Sequence, residues 1–155
     1  MNTVFTEHFT VAEARELLPQ VRAWFNEVDA LTDRIRKSDE CLAPRLKAGA
    51  DLGGSEVSSQ FRDMGRVQSI ISEFNRRQIQ IKDLQRDLID FPAILDEREV
   101  FLCWERSEND LTHWHDLESG FAGRQPLLEY EQDFCNHHHR AVGNGFYSKR
   151  PKGRS

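Results

Sequence analysis

The stretch Ile89–Glu105, "IDFPAILDEREVFLCWE", decides whether this chain is helical throughout or carries strands. A helix reaching it halts at Asp90-Phe91-Pro92, because the residue before a proline is pushed out of the α region. Beyond the turn signal "LDERE", residues Val100–Glu105 are dense in β-branched and aromatic side chains, and Leu111–His115 repeats that character after five polar residues, "RSEND". Two such runs around a short polar turn predict an antiparallel β-hairpin. Side chains alternate along each strand, and residues directly opposite share a face. Setting Trp104 across from Trp114, and Cys103 across from His115, puts Val100, Leu102, Trp104, Thr112 and Trp114 on one face. Phe101, Cys103, Glu105, His113 and His115 then share the other. A one-residue slip would bring Trp114 beside Cys103. The paired tryptophans favour the first register, since they make a heavy apolar face to lie on helices.

Upstream, "FTVAEARELLPQVRAWFNEVDALTDRIRK" opens with Thr10 and Glu13, the reciprocal capping box that satisfies two amides at a helix start. Leu17, Val21, Trp24, Val28, Leu31 and Ile35 follow in steps of four and three, one stripe along a long helix. Pro19 lies inside it and predicts a kink or a restart near Leu18. After the loop "KAGADLGGSE" a second stripe runs through Val57, Phe61, Met64, Val67, Ile71, Phe74 and Ile81. Two amphipathic helices joined by a glycine-bearing loop predict an antiparallel hairpin, whose remaining stripe edges must meet the C-terminal segment or a second copy in a homodimer. The fold class expected is therefore mainly α: a long antiparallel helical hairpin packed with a short β-hairpin, followed by a C-terminal helix and tail.

With 155 residues, 38% of them hydrophobic and 30% charged, the chain suits one domain built on helices with a wet face. Residues 1–128 are expected to form that domain. Residues 129–155 are expected to be an extension, a short helix and then a basic disordered tail. Residues 140–155 hold five cations and no acid, and setting them aside takes the net charge from −5 to −10. An acidic body of this kind argues against specific nucleic-acid recognition; the tail alone would give salt-sensitive contacts. The start "MNTVFTEHFT" lacks the features of a signal peptide and no run is long enough to span a bilayer, so a cytoplasmic location without membrane contact is expected. Cys41, Cys103 and Cys135 are widely spaced and odd in number, which points to reduced thiols. The segment "CNHHHR", with Cys135, His137, His138 and His139, has consecutive spacing poorly suited to a structural metal site.

On the hairpin, His113 and His115 point the same way beside Cys103, with Glu118 just after. Imidazole, thiolate and carboxylate are what zinc or another divalent metal takes, and a fourth position left to water would suit a catalytic ion. A second constellation needs no metal. His115 can titrate and Arg124 can clamp an anion in bidentate fashion, with Asp90, Glu108 or Lys82 fixing their geometry. The bland alternative is a buried polar network that locks the hairpin onto the helix ends.

The residues in order also resemble a known family, the bacterial domain of unknown function DUF2203. The resemblance rests on Phe9, Thr10, Glu13 and Ala14; on Lys82 and Asp83; on Leu88, Asp90, Phe91 and Pro92; on Val100, Leu102, Cys103 and Trp104; on Glu108, Trp114 and His115; and on Gly120, Gly123, Arg124 and Pro126. It covers about residues 5–128 and brings no activity with it. It implies a polar site of Lys82, Asp83, Asp90, Glu108, His115 and Arg124, and it weighs against His113, a position that in the family is often another aromatic. Asp87, Glu97 and Ser107 stand where the family pattern has glycines, which implies turns made at positive φ by costlier residues.

No G-x-S-x-G, phosphate-binding glycine loop or H-E-x-x-H occurs, so no enzyme class is assigned. Three readings stay open: a structural or interaction module with a polar network at the hairpin, a divalent-metal protein or metal-dependent enzyme using the Trp114-His115 hairpin, and a binder of a small anionic ligand through Arg124.

Overall fold

The computed structural model describes residues 3–51 and 54–127. Two helices, α1 (Val11–Lys47) and α2 (Ser55–Arg76), precede five strands: β1 (Gln80–Asp83), β2 (Leu88–Leu95), β3 (Arg98–Glu105), β4 (His113–Asp116) and β5 (Gln125–Pro126). The strands form one antiparallel sheet in chain order. The class is thus α+β and not mainly α. The expected C-terminal helix and tail, with Cys135 and His137–His139, lie outside the described residues. No helix among the described residues is long and apolar enough to cross a membrane.

The helix start follows the sequence reading. Thr10 Oγ1 accepts from the Glu13 amide at 3.2 Å, and the Glu13 carboxylate accepts from the Thr10 amide at 2.8 Å. Helix α1 runs through Pro19 without a restart. Pro19 lies on the exposed side of the helix.

The second helix ends earlier than its stripe suggests. At its C-terminus the Ile79 amide donates to Phe74 O and the Gln78 amide to Asn75 O, the Schellman pair of bonds. Gln78 takes the left-handed conformation, φ 58°, that glycine usually supplies. No glycine marks this stop, so periodicity alone predicts a helix running on to Ile81, whereas Ile81 lies on β1. Gln78 is held in place by the N-terminal segment. Its Oε1 accepts from the amides of Thr6 and Glu7, and its Nε2 donates to Thr6 Oγ1.

Asp90-Phe91-Pro92 is likewise not a helix stop but the middle of β2. The Phe9 amide donates to Pro92 O at 2.7 Å. A residue's N–H and C=O point to the same side of a strand, so the missing donor of Pro92 also faces that way. There β1 has already ended, its last pair being Gln80 with Asp90. Pro92 therefore sits at a local sheet edge, where the ladder loses nothing. Strands β2 and β3 are joined by Asp96-Glu97, with φ of 47° and 60°, the left-handed pair of a two-residue type I′ hairpin turn. Asp87 is also left-handed, φ 50°, whereas Ser107 is not among the positive-φ residues. Two of the three glycine replacements thus fall on left-handed turns.

The β3–β4 register is Phe101 with His115, Leu102 with Trp114 and Cys103 with His113. It differs by two residues from the pairing of the two tryptophans. A shift of two preserves the faces and changes only the neighbours. Ile89, Phe91, Ala93, Leu95, Val100, Leu102, Trp104 and Trp114 turn to the helices, where they pack with Ala14, Val21, Phe25 and Phe74 in one core.

The helices are antiparallel, cross-linked by Arg66–Glu27, Arg34–Asp63, Gln60–Asp39 and Arg45–Glu56. The apolar seam of the pair is continuous near the sheet, from Val21, Phe25 and Leu31 to Ile70 and Phe74, and Leu42 is buried farther out on α1. Farther out two residues of the expected α2 stripe depart from it. Phe61 is 69% and Met64 49% exposed, and Asp63 and Gln60 face α1 in their place.

Candidate functional site

The sheet face away from the helices carries the polar residues. Strands β2, β3 and β4 bring Asp90, Cys103 and His115 together on it, exposed by only 1%, 0% and 2%. Their ligand-type atoms all lie within 4.8 Å of one another. Asp90 and Cys103 are direct cross-strand partners, and His115 is opposite Phe101, one step diagonal from the thiol.

His115 is oriented at both nitrogens. Its Nδ1 is 2.7 Å from Asp116 O and its Nε2 is 3.1 Å from Asp90 Oδ2. A carbonyl oxygen only accepts, so Nδ1 carries the hydrogen and Nε2 faces the carboxylate. The other carboxylate oxygen, Oδ1, is buried without a hydrogen bond of normal geometry. Lys82, the extra residue of a bulge in β1, brings Nζ to 3.9 Å from Asp90 Oδ2 and 4.8 Å from the centre of the Phe101 ring. Burial and then the neighbouring charge of Asp90 push the Cys103 thiol far above its ordinary range. Such burial favours the neutral thiol over the thiolate nucleophile.

A second centre adjoins the first. Arg124 Nη2 donates to both carboxylate oxygens of Glu108, at 2.9 and 2.7 Å, and to Cys103 O at 3.1 Å. Glu108 also accepts from the Glu105 amide at 2.9 Å, which closes the turn that follows β3. The glycines before Arg124 explain their own positions. Gly120 has φ 60°, and a Cβ on Gly123 would lie 2.5 Å from Ser119 Cβ, so the chain passes too closely there for any side chain. Arg124 emerges stacked 4.6 Å from the Phe121 ring.

Of the residues expected at a metal, Cys103 and His115 meet. His113 does not join them: its Nδ1 is 2.9 Å from Thr112 Oγ1 and 3.6 Å from Glu108. Glu118 is exposed in the turn after β4 and outside the cluster. Asp90 takes the third place. Of the polar-site residues, Lys82, Asp90 and His115 form one group and Glu108 with Arg124 another. Asp83 is apart from both, accepting from the amides of Gln85 and Arg86 in the β1–β2 turn.

Three arginines outside those sets hold the site's loops. Arg22, stacked 4.8 Å from the Trp104 ring, donates to the carbonyls of Arg106 and Glu108. Arg15 donates to Leu111 O at 2.9 and 3.2 Å. Arg106 bridges to Asp29 and Asp87. These contacts join residues 96 apart in the Arg15 pair and 84 apart in the Arg22 pair, and an arginine on the wet edge of a helical pattern looks the same with or without such a partner.

Among known protein families, the model described as an uncharacterized conserved protein, DUF2203, matches residues 7–127. No curated protein matches the chain, and no solved structure does.

Proposed function

The chain belongs to the DUF2203 family, and we propose that it works as an association module, a rigid sheet-based head with a helical arm that pairs with the arm of a second copy. The observation that carries the reading is the exposed pair Phe61 and Met64 on the arm. If α1 were the sole partner of α2, burial would turn Phe61 and Met64 toward α1, since each buried large apolar side chain contributes about 1.5–3 kcal/mol. Asp63 and Gln60 occupy that side and the apolar pair faces outward, as a helix does when its apolar neighbour is another chain.

A second copy fits this face for a geometric reason. Gly65 lies one turn beyond Phe61, and a Cβ there would meet nothing within 4 Å. In an antiparallel two-fold pair the ring of Phe61 can rest over Gly65 of the other copy, and the same contact then forms twice. The head's polar groups support the same division of labour. Arg15, Arg22, Arg106 and Arg124 are engaged inside the head, which makes it a stiff base for the arm.

Light scattering after gel filtration tests the reading. The full chain is expected to run at twice its mass, and Phe61→Glu with Met64→Glu at the single-chain mass with an unchanged circular dichroism spectrum. A wild type that stays at single-chain mass as its concentration is raised overturns self-association.

A further inference from the structure

We propose that Asp90, Cys103 and His115 form a binding site for one borderline divalent ion, zinc in the first place, on the sheet face opposite the helices. The site is independent of the arm and of its pairing.

Three observations converge on it. The donors are those such an ion prefers, an imidazole nitrogen, a thiol sulfur and a carboxylate oxygen, brought by three neighbouring strands to within 4.8 Å of one another. The 3.1 Å between His115 Nε2 and Asp90 Oδ2 is close to the edge of about 3.3 Å that bond lengths of about 2.0–2.1 Å impose on a tetrahedral ion. Next, the tautomer is set from behind. Nδ1 donates its hydrogen to Asp116 O, 2.7 Å away from the nitrogen, so the lone pair of a neutral ring points from Nε2 into the cluster. This is how a backbone carbonyl orients a metal-bound histidine. Finally, Asp90 Oδ1 is buried without a hydrogen bond of normal geometry, the Cys103 thiol beside the carboxylate being a weak donor, and a buried carboxylate oxygen left this way is costly unless a cation lies beside it.

The nearest rival cation is Lys82. Its Nζ reaches only 3.9 Å from Oδ2, outside hydrogen-bond range, and it lies over the Phe101 ring. The other nearby cation, Arg124, is engaged by Glu108 and by the carbonyl of Cys103. Neither satisfies Oδ1. Three protein donors leave one tetrahedral position, which a water molecule can take. The deep burial of all three suits a structural or sensing ion better than one that must admit a substrate.

Cobalt(II) makes the site visible, because a thiolate bound to it gives a charge-transfer band in the near ultraviolet and tetrahedral coordination gives intense visible bands. The untagged full chain, stripped with chelator, is titrated with cobalt and then with zinc. One cobalt per chain is expected, with both sets of bands, and zinc should displace it. Cys103→Ser should abolish the near-ultraviolet band, Asp90→Asn should weaken cobalt binding at least tenfold, and replacing His137, His138 and His139 together by alanine should change neither. Absence of the near-ultraviolet band in the wild type overturns the proposal without reference to how any variant folds. So does a band that survives Cys103→Ser, which would assign the sulfur to Cys41 or Cys135.

Discussion

Phe74 and Phe61 lie on the same helix, and every local rule of periodicity treats them alike. Phe74 is 1% exposed, packed edge-on against Trp24 at 5.1 Å and beside Phe25 at 5.4 Å, whereas Phe61 stands in solvent on the isolated chain. The difference lies in what surrounds each half of the helical pair. Near the sheet a third layer completes the core around α1 and α2. Farther out no third layer covers the pair among the described residues, ionic contacts such as Arg34–Asp63 stand beside the buried Leu42, and Phe61 and Met64 look away. The head buries its large apolar side chains, and the arm leaves Phe61 and Met64 exposed.

The largest expected effect tests that contrast. Phe74→Ala should lower unfolding stability by about 3–5 kcal/mol in urea denaturation, the cost of a large core cavity. Phe61→Ala in a monomeric background should stay within about 0.5 kcal/mol of wild type. Similar losses at the two positions would mean that Phe61 is packed within the single chain.

Next in size comes the head's internal pairing. Arg124→Ala strands the Glu108 carboxylate against the end of β3, and should cost about 2–3 kcal/mol, below the figure for a fully buried pair because both side chains keep some contact with water. Glu108→Gln, which keeps an acceptor for Arg124, should cost markedly less in the same denaturation series.

Turn chemistry should yield smaller changes, one of them favourable. Glu97→Gly relieves a left-handed residue at φ 60° and should raise stability by about 0.5 kcal/mol after the added freedom of the unfolded chain is counted. Ser107→Gly, at a position without positive φ, should give no gain. A gain at both would mean that backbone strain is not the cause.

The most local effect concerns the N-terminal segment. Glu99 accepts from the amides of Val4 and Phe5 and pairs with His8. Burial alone would raise its carboxyl, but these partners outweigh burial and hold it below the ordinary carboxylate range. A lowered folded-state value means that its contribution is complete above the unfolded value and is lost as pH falls through the folded one. On acidification the segment should release from the sheet. The change can be read from the ring-shifted NMR signals of Phe101, which packs 5.3 Å from Phe5. Glu99→Gln should remove the pH dependence.

These contrasts also separate what was legible from what was not. The capping box at Thr10, the first helix, β3 and β4, and the faces of their pairing could all be read, because each depends on residues within a few positions of one another. The ends of elements were harder. Gln78 ends α2 in a conformation usually given to glycine, and only the grip of Thr6 and Glu7 on its side chain explains why it can. Pro92 reads as a helix stop until one sees that β1 ends before reaching it. Cys103 and His115 were legible as neighbours across a hairpin. Asp90 could not be placed with them, because that requires the β2–β3 pairing, which the stop reading had hidden.

By itself, then, the sequence determined the family, the capped first helix, the alternation that gives β3 and β4 an apolar and a polar face, and the residue types available for a site. Those are consequences of local stereochemistry and side-chain periodicity, which act over one or two turns. The tertiary structure alone decided that strands outnumber helices among the described residues, that Asp90 joins Cys103 and His115, and that Phe61 faces outward while Phe74 is buried. Each of those depends on which segments meet across tens of residues, and burial is a property of the meeting and not of the residue.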